Sequence, residues 1–480
     1  MQERAESAVT RRVKRRRFLK LAGSTAVAAI VSEPLFAMEA LAAPLVRHDI
    51  ASLTTSSKII TSYEKAITAM RKLAKSNPMS WAYQAHIHGA AAPTYPSWST
   101  CQHYNAFFWS WHRMYLYWFE RIIRKQSGDP TWTLPFWAWD LSTERQIPPM
   151  FRTPTSGNAL YSNNRNTLPN TGASLTAAQV SYTTAFKTKV FSTPMATGAN
   201  DMFQTPHGSV HVWVGMGFGN FNTTGLDPLF WLHHANCDRL WQVWRNMPGR
   251  NDPTSDLTWT GKTFTFFDEN GKAVTMTDCD VVNTAQKLKY KYEGVPAPAV
   301  ETCPNLVKVC CVPSVVVFPF VFPTIPPLGA QPVRVPLPIP PQARRTLMTI
   351  AADPTKTAYL HLEGLTATTQ PNATWAVFVG PQSVPIAGVM HGKIPANPES
   401  PYYVGNVYLF GHGVKDEMGN MPMQLSFPLN RALAASSDQE LYVTFVAQGT
   451  LMNGALVAPN VRASINIAKA TIIVETLKQG

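Results

Sequence analysis

The 480-residue sequence contains no apolar run of 18 or more residues free of charge or proline, so it offers no segment that would cross a membrane as a helix. Charge is sparse, at 15% against 45% hydrophobic residues, a balance that excludes a disordered chain. Neither C-x-x-C nor H-E-x-x-H occurs, which argues against zinc ribbons, thioredoxin-like redox sites and zinc proteases of that signature. Six cysteines (Cys101, Cys237, Cys279, Cys303, Cys310 and Cys311) are too few in a chain of this length for a disulfide scaffold. The vicinal pair Cys310–Cys311 could bridge to Cys303 or Cys279, and the sequence leaves the pairing open. There is no internal repeat. The formal charge of +13 is partly gathered in the first 42 residues and comes with no RNA- or DNA-reading motif, so nucleic acid is not the expected partner.

What is present begins with an address. Arg15-Arg16-Arg17-Phe18-Leu19-Lys20 precedes an Ala-rich apolar run, Leu21 to Ala37, and Ala40-Leu41-Ala42 puts small residues where a signal peptidase cuts. Residues 1–42 resemble a twin-arginine signal, which implies export of a folded chain beginning near Ala43 to the periplasm or beyond.

From about Ser57 to Tyr292 apolar residues recur at helical spacing. Phe107–Lys125 places Phe108, Trp111, Tyr115, Trp118, Phe119 and Ile122 at steps of three and four. Asp227-Pro228 reads as a cap and first turn of a second helix that ends before Pro248-Gly249. Thirteen of the 39 prolines lie between Pro296 and Pro341, too many for regular helix or a central strand, so 296–344 is expected to be an extended linker or strap. After Arg345 the pattern turns to β, with expected strands at Ala358–Leu362, Thr374–Val379, Val407–Phe410, Glu440–Ala447 and Ala463–Val474. The expected units are 1–42, 43–295, 296–344 and 345–480.

Most of the 12 histidines fall into two groups, His86, His88, His103 and His112, then His207, His211, His233 and His234. With Thr205 as N-cap and Pro206 in the first turn, His207 and His211 would lie one turn apart on one helix face and could converge on one metal. A further imidazole in an otherwise apolar helix is costly unless something binds it. Two three-histidine sets without a convincing carboxylate or thiolate partner set suit a pair of copper ions better than zinc.

The run from Cys101 to Arg113, in the pattern C-x-H-x8-H-R, resembles the first copper motif of the type 3 copper proteins, the family of tyrosinases, catechol (polyphenol) oxidases and haemocyanin units. Pro206-His207-x3-His211 and Asp227-Pro228-Leu229-Phe230-x3-His234-x3-Asp238-Arg239 resemble the second. Gly219-Asn220-Phe221, Tyr290-Lys291-Tyr292-Glu293 and Trp375-Ala376-Val377-Phe378-Val379 are similar to further segments of the plant enzymes. The resemblance implies a multidomain α + β chain, with a mainly α-helical catalytic domain on a four-helix bundle around a dicopper site and a C-terminal β-sandwich-like domain. It implies copper A on His88, His103 and His112 and copper B on His207, His211 and His234, with O2 as co-substrate and small phenols as substrates. The Q-A-x-x-H spacing selects His88 over His86. His233 becomes a neighbour that orients others by hydrogen bonds. Cys101 occupies the place of a thioether to His103 in related enzymes, its rival role being a free buried thiol. Phe230 and Phe221 are expected over copper B and copper A, and Asp238 and Arg113 are expected to hold the helices together.

Two departures bear on chemistry. Gly208 stands where strong monophenolases of the family carry Asn, and Phe203 replaces a water-orienting glutamate, with Gln204 and Asp201 the nearest polar substitutes. Both favour oxidation of o-diphenols to o-quinones over hydroxylation of monophenols. The alternatives are a haemocyanin-like O2 binder without turnover and an o-aminophenol oxidase. The resemblance to latent polyphenol oxidases also implies intramolecular inhibition, the C-terminal domain laying a side chain into the copper pocket, with Met390, His391 or Tyr402 as candidates.

Overall fold

The computed structural model describes residues 43–480 except 298–302, 304–313, 319–321, 354, 411–422, 438 and 477–480. Residues 1–42, expected as a twin-arginine signal, and Cys310 and Cys311 therefore lie outside the described residues.

Five longer helices carry the first half: α1 (Lys58–Lys72), α2 (Trp81–His88), α3 (Phe108–Ser127), α4 (Ala199–Val214) and α5 (Pro228–Arg245). Local chemistry sets their ends. The Ser80 hydroxyl caps α2 by accepting from Tyr83 N–H, and the Asp227 carboxylate caps α5 by accepting from Leu229 N–H at 2.9 Å. The apolar stripe of α3 is buried as its spacing predicts, with Phe108, Trp111, Tyr115, Phe119 and Ile122 all at 0% exposure. One boundary differs. Helix α4 is not capped at Thr205; its N-cap is Gly198, seven residues earlier, and Pro206 lies inside the helix. Asp201 makes this possible, since its carboxylate accepts from Gly198 N–H, Thr193 N–H and the Ser192 hydroxyl and so anchors the true first turn.

Strand β1 (Leu45–Arg47) pairs in parallel with β4 (Tyr290–Tyr292), bringing the two ends of the helical region together, and β2 (Thr263–Phe267) and β3 (Ala273–Thr277) form a hairpin between them. A disulfide joins Cys279 to Cys303.

The second half forms two four-stranded antiparallel sheets. Their orders are β10-β7-β14-β5 and β6-β11-β8-β9, where β5 is Ser314–Phe318, β6 Val333–Pro336, β7 Lys356–Thr366, β8 Trp375–Gly380, β9 Tyr403–Val407, β10 Met423–Pro428, β11 Tyr442–Ala447 and β14 Asn466–Thr476. The short hairpin β12 (Thr450–Met452) and β13 (Ala455–Val457) stands apart from both sheets. Two expectations are corrected. The proline-rich segment supplies β5 and β6, each an edge strand, which is where a missing N–H is tolerated. The strand expected at Val407–Phe410 ends at Val407, and the three residues after it leave the sheet.

A candidate dicopper centre and its cover

Helix α2 delivers His88, the loop before α3 delivers His103, α3 delivers His112, α4 delivers His207 and His211, and α5 delivers His233 and His234. All seven are buried, and their donor atoms form two groups: His88, Cys101, His103 and His112, then His207, His211, His233 and His234, each gathered within 4.8 Å. His86 is not among them. Its ring packs on Trp98 and its Nδ1 lies 3.1 Å from Gly89 O.

Hydrogen bonds set the tautomers. Nδ1–H of His112 donates to Phe108 O at 2.7 Å, that of His211 to Phe218 O at 3.0 Å, and that of His88 to Phe221 O at 3.3 Å. Each such bond leaves Nε2 as a bare lone pair, the arrangement a metal-binding imidazole requires. Gly89 permits the last of them, because a Cβ there would lie 2.4 Å from Phe221 O. Burial lowers the pKa of His112 and of His211 to about 3, and burial first, then neighbouring imidazoles, pushes His88, His207, His233 and His234 well below the usual value.

The rings are therefore neutral and face one another. His211 Nε2 lies 3.4 Å from His234 Nε2, His112 and His234 stack at 4.3 Å, and His88 Nε2 and both nitrogens of His207 have no hydrogen-bond partner. Buried lone pairs pointing at one another are unfavourable unless a cation accepts them. The donor set fits a dinuclear copper site, because soft-to-borderline imidazole donors without carboxylates suit copper.

Around this centre, Phe221 lies 4.6 Å from the His88 ring and Phe230 lies 4.4 Å from that of His234, centroid to centroid. The Cys101 thiol, kept protonated by burial, reaches His103 Nδ1 at 3.4 Å and also His112 Nε2 at 3.3 Å, so it does not single out His103. His233 does not orient neighbours by hydrogen bonds. Both its nitrogens are buried without a partner, and it acts through ring packing on His207, His211 and Trp139. Asp238 belongs to a buried ionic cluster: its carboxylate accepts from Arg113, Arg47, Tyr290 and Tyr292, and the two guanidinium groups hold its pKa below the usual value against the cost of burial. It ties β1, α3, α5 and β4 together.

The neighbours of His207 offer no base. Phe203 packs against Trp109 and Trp139, Asp201 is occupied as a cap, and the Gln204 carbonyl accepts from Tyr104 N–H at 2.6 Å.

The pocket is covered. Beyond β9 the chain carries Phe410 into the histidine cluster, where its fully buried ring stacks on His211 at 3.8 Å and lies 5.8 Å from His207 and 5.9 Å from His103. Tyr104 hydroxyl donates to Phe410 O at 2.7 Å, and the Gln370 amide donates to Leu409 O. None of the three residues expected as plug enters the site. Met390 meets Arg334, His391 bonds Ala387 O, and Tyr402 hydroxyl donates to Ala435 O. Phe410 and Tyr408 were missed because 407–410 reads as ordinary strand, and Tyr104 because nothing in the loop before α3 marks it.

Beside Phe410, the Tyr408 ring fills the space over Gly208. Gly208 is helical and has no positive φ, so backbone freedom does not explain it; a helix-interior glycine costs roughly 0.8–1.0 kcal/mol relative to alanine.

Comparison with known proteins agrees with this geometry. Residues 78–184 and, overlapping them, 145–247 match the common central domain of tyrosinase, and residues 254–305 match the polyphenol oxidase middle domain. Polyphenol oxidase II of Ipomoea batatas is 34% identical over 291 residues, which cover 51% of this chain and 49% of that protein. Tyrosinase HcTyr1 of a Hahella species is 35% identical over 281 residues, covering 48% and 59%. The chain thus spans about half the length of the curated relatives it matches. A solved latent aurone synthase, itself a polyphenol oxidase, shares the fold with a TM-score of 0.63 at 22% identity, covering 91% of this chain and 90% of that one. The two histidine groups fit a dinuclear copper site of the type 3 kind, set in a helical region. Over residues 78–247 and 254–305 the chain is similar to the tyrosinases and polyphenol oxidases.

Proposed function

We propose that this chain is a copper oxidase that uses O2 to convert o-diphenols to o-quinones, with weaker ortho-hydroxylation of monophenols, and that its own C-terminal region keeps it latent. The observation that carries the first part is the pair of buried imidazole groups whose bare nitrogens face each other. In this reading His88, His103 and His112 hold one copper and His207, His211 and His234 the other. When bound, the metal pair supplies one-electron carriers that pass two electrons from the phenol to O2, the diphenol losing two protons and half an O2 becoming water. The residues of the chain do the rest. Carbonyls of Phe108, Phe218 and Phe221 fix the imidazoles, while Phe221 and Phe230 flank the centre and keep water from it. With Gly208, Phe203 and an engaged Gln204 around His207, no side chain there is free to take the phenolic proton of a monophenol.

Metal analysis of the mature protein should find about two coppers per chain, and one zinc with no copper overturns the reading. His211→Ala should bind about one fewer copper. Catechol should be oxidised far faster than tyramine, and equal initial rates without a lag would refute the diphenol preference.

Latency is supported by Phe410 on His211 and by the latent state named for the solved relative. A tethered cover acts through effective concentration, so cutting the tether releases it. Limited proteolysis between 304 and 345 should raise catechol oxidation several-fold. The same covered ring suits a second reading, an O2 carrier. A cut protein with two coppers that still fails to oxidise catechol would favour it. Export by the twin-arginine route is supported by the order of charge, apolar run and small residues in 1–42, and the Cys279–Cys303 disulfide fits an oxidising compartment.

A further inference from the structure

Gly208 immediately follows the copper ligand His207 on α4, and the segment that covers the site packs directly onto it. A Cβ built at Gly208 would lie 2.0 Å from Tyr408 Cε2, 2.2 Å from Cδ2 and 3.0 Å from Cζ. Carbon atoms at rest keep about 3.5–4.0 Å apart, so a single methyl at 208 overlaps the ring by more than an ångström. The ring has little room to yield. Tyr408, Leu409 and Phe410 are each at 0% exposure, the Tyr104 ring lies 6.4 Å away, and the backbone on the far side is held by Tyr104 hydroxyl on Phe410 O and by the Gln370 amide on Leu409 O. Helix α4 cannot retreat either, because its buried face carries His207 and His211.

We infer that Gly208 is the seat of the cover: a residue without a side chain after His207 lets Tyr408 lie flush on α4, and that depth sets how far Phe410 reaches onto His211. The inference rests on the latency reading above and adds to it the residue that decides whether the cover can close. It gives Gly208 a reason separate from substrate choice. A side chain at this position, whatever it does to the phenol, also lifts residues 408–410. Gly208→Asn would for the same reason produce an enzyme active without cutting.

The test uses the full mature chain as wild type, Gly208→Ala, Tyr408→Ala, Phe410→Ala and the double variant Gly208→Ala/Tyr408→Ala. Two quantities are read: hydrogen exchange of the amides of residues 403–410 in the metal-free protein, and the ratio of catechol oxidation before and after linker cleavage in the copper-loaded protein. Gly208→Ala should raise exchange at 408–410 at least tenfold and bring the activity ratio close to one. The double variant, in which the added methyl enters the space left by the ring, should return both readings most of the way to wild type. Wild-type exchange and a wild-type ratio in Gly208→Ala overturn the inference. So does a Gly208→Ala protein that fails to fold while the double variant folds, because the clash would then break the helical domain before the cover lifts. If cleavage and Phe410→Ala activate the enzyme but Gly208→Ala does not, only the seat falls. If neither cleavage nor Phe410→Ala activates it, latency itself falls.

Discussion

Asp278 sits between the β2–β3 hairpin and the disulfide with 0% exposure, where the Ser110 hydroxyl only partly offsets the cost of burying its carboxylate. Burial pushes its pKa up to about 7, with the nearby Asp252 and Asp280 charges acting in the same direction. A raised folded-state value means that the folded chain binds this proton more tightly than the unfolded chain. Its contribution to stability is whole below about pH 4 and is lost as pH rises to about 7, at up to ~1.4 kcal/mol per unit, and then levels off. Asp278→Asn should remove that slope. Melting temperatures of the two proteins should be similar at pH 4 and diverge toward pH 7 in favour of the variant, and parallel curves would contradict this. Nothing in the sequence marks Asp278 as unusual, because its environment is made by elements distant in the chain. The histidines behave differently. Spacing and company separate His88 from His86, since one projects into the bundle and the other onto Trp98. Their legibility stops at hydrogen bonding, and the ring packing of His233 depends on where Trp139 comes to lie.

Among the elements, those governed by short-range chemistry were readable: the capped start of α5 and the stripe of α3. The start of α4 was not, because Asp201 outcompetes Thr205 through partners at 192 and 193 that lie outside the helix. Nor was the end of β9, where Tyr408 and Phe410 keep the apolar character of a strand while serving the histidine pocket. Connectivity then makes a finer prediction about the tether. The Cys279–Cys303 bridge fastens residue 303 to the helical region, and β5, beginning at Ser314, is bonded to β14 of the C-terminal sheet. A single cut between 304 and 313 therefore severs the backbone between 303 and 314, which no disulfide among the described residues bridges. A cut between 280 and 302 leaves the two parts joined through the disulfide. Non-reducing gels paired with catechol assays should show activation by the first cut alone, and by the second only after reduction. Activation by the second cut without reductant would mean that the tether plays no part.

At the scale of the whole molecule, the helical region and the sheets meet mainly through neutral groups, the exception being the buried Glu475 carboxylate, which accepts from the Thr197 hydroxyl at 2.6 Å. Trp213 Nε1–H donates to Thr450 Oγ1, Tyr403 hydroxyl and Asn406 Nδ2–H to Ala178 O, Ser426 hydroxyl to Met195 O, and Ser174 and Leu451 exchange backbone bonds. Such contacts are little screened by ions, so the ratio of activity before and after cleavage should stay constant between 0.01 and 1 M salt, over which the screening length falls from about 30 to about 3 Å. A ratio that climbs steadily with salt would point to charge as the clasp. The position of the cover along the chain has a consequence in time. All six proposed copper ligands are synthesised before residue 235, whereas Phe410 follows far behind them, and the sheet containing β7 is completed only by β14. At ~5–20 residues per second, a ribosome takes roughly ten to thirty-five seconds to pass from His234 to Phe410. During that interval the nascent helices stand without their lid, which sets a natural moment for copper to enter; a chain that misses it must open its finished fold to be loaded.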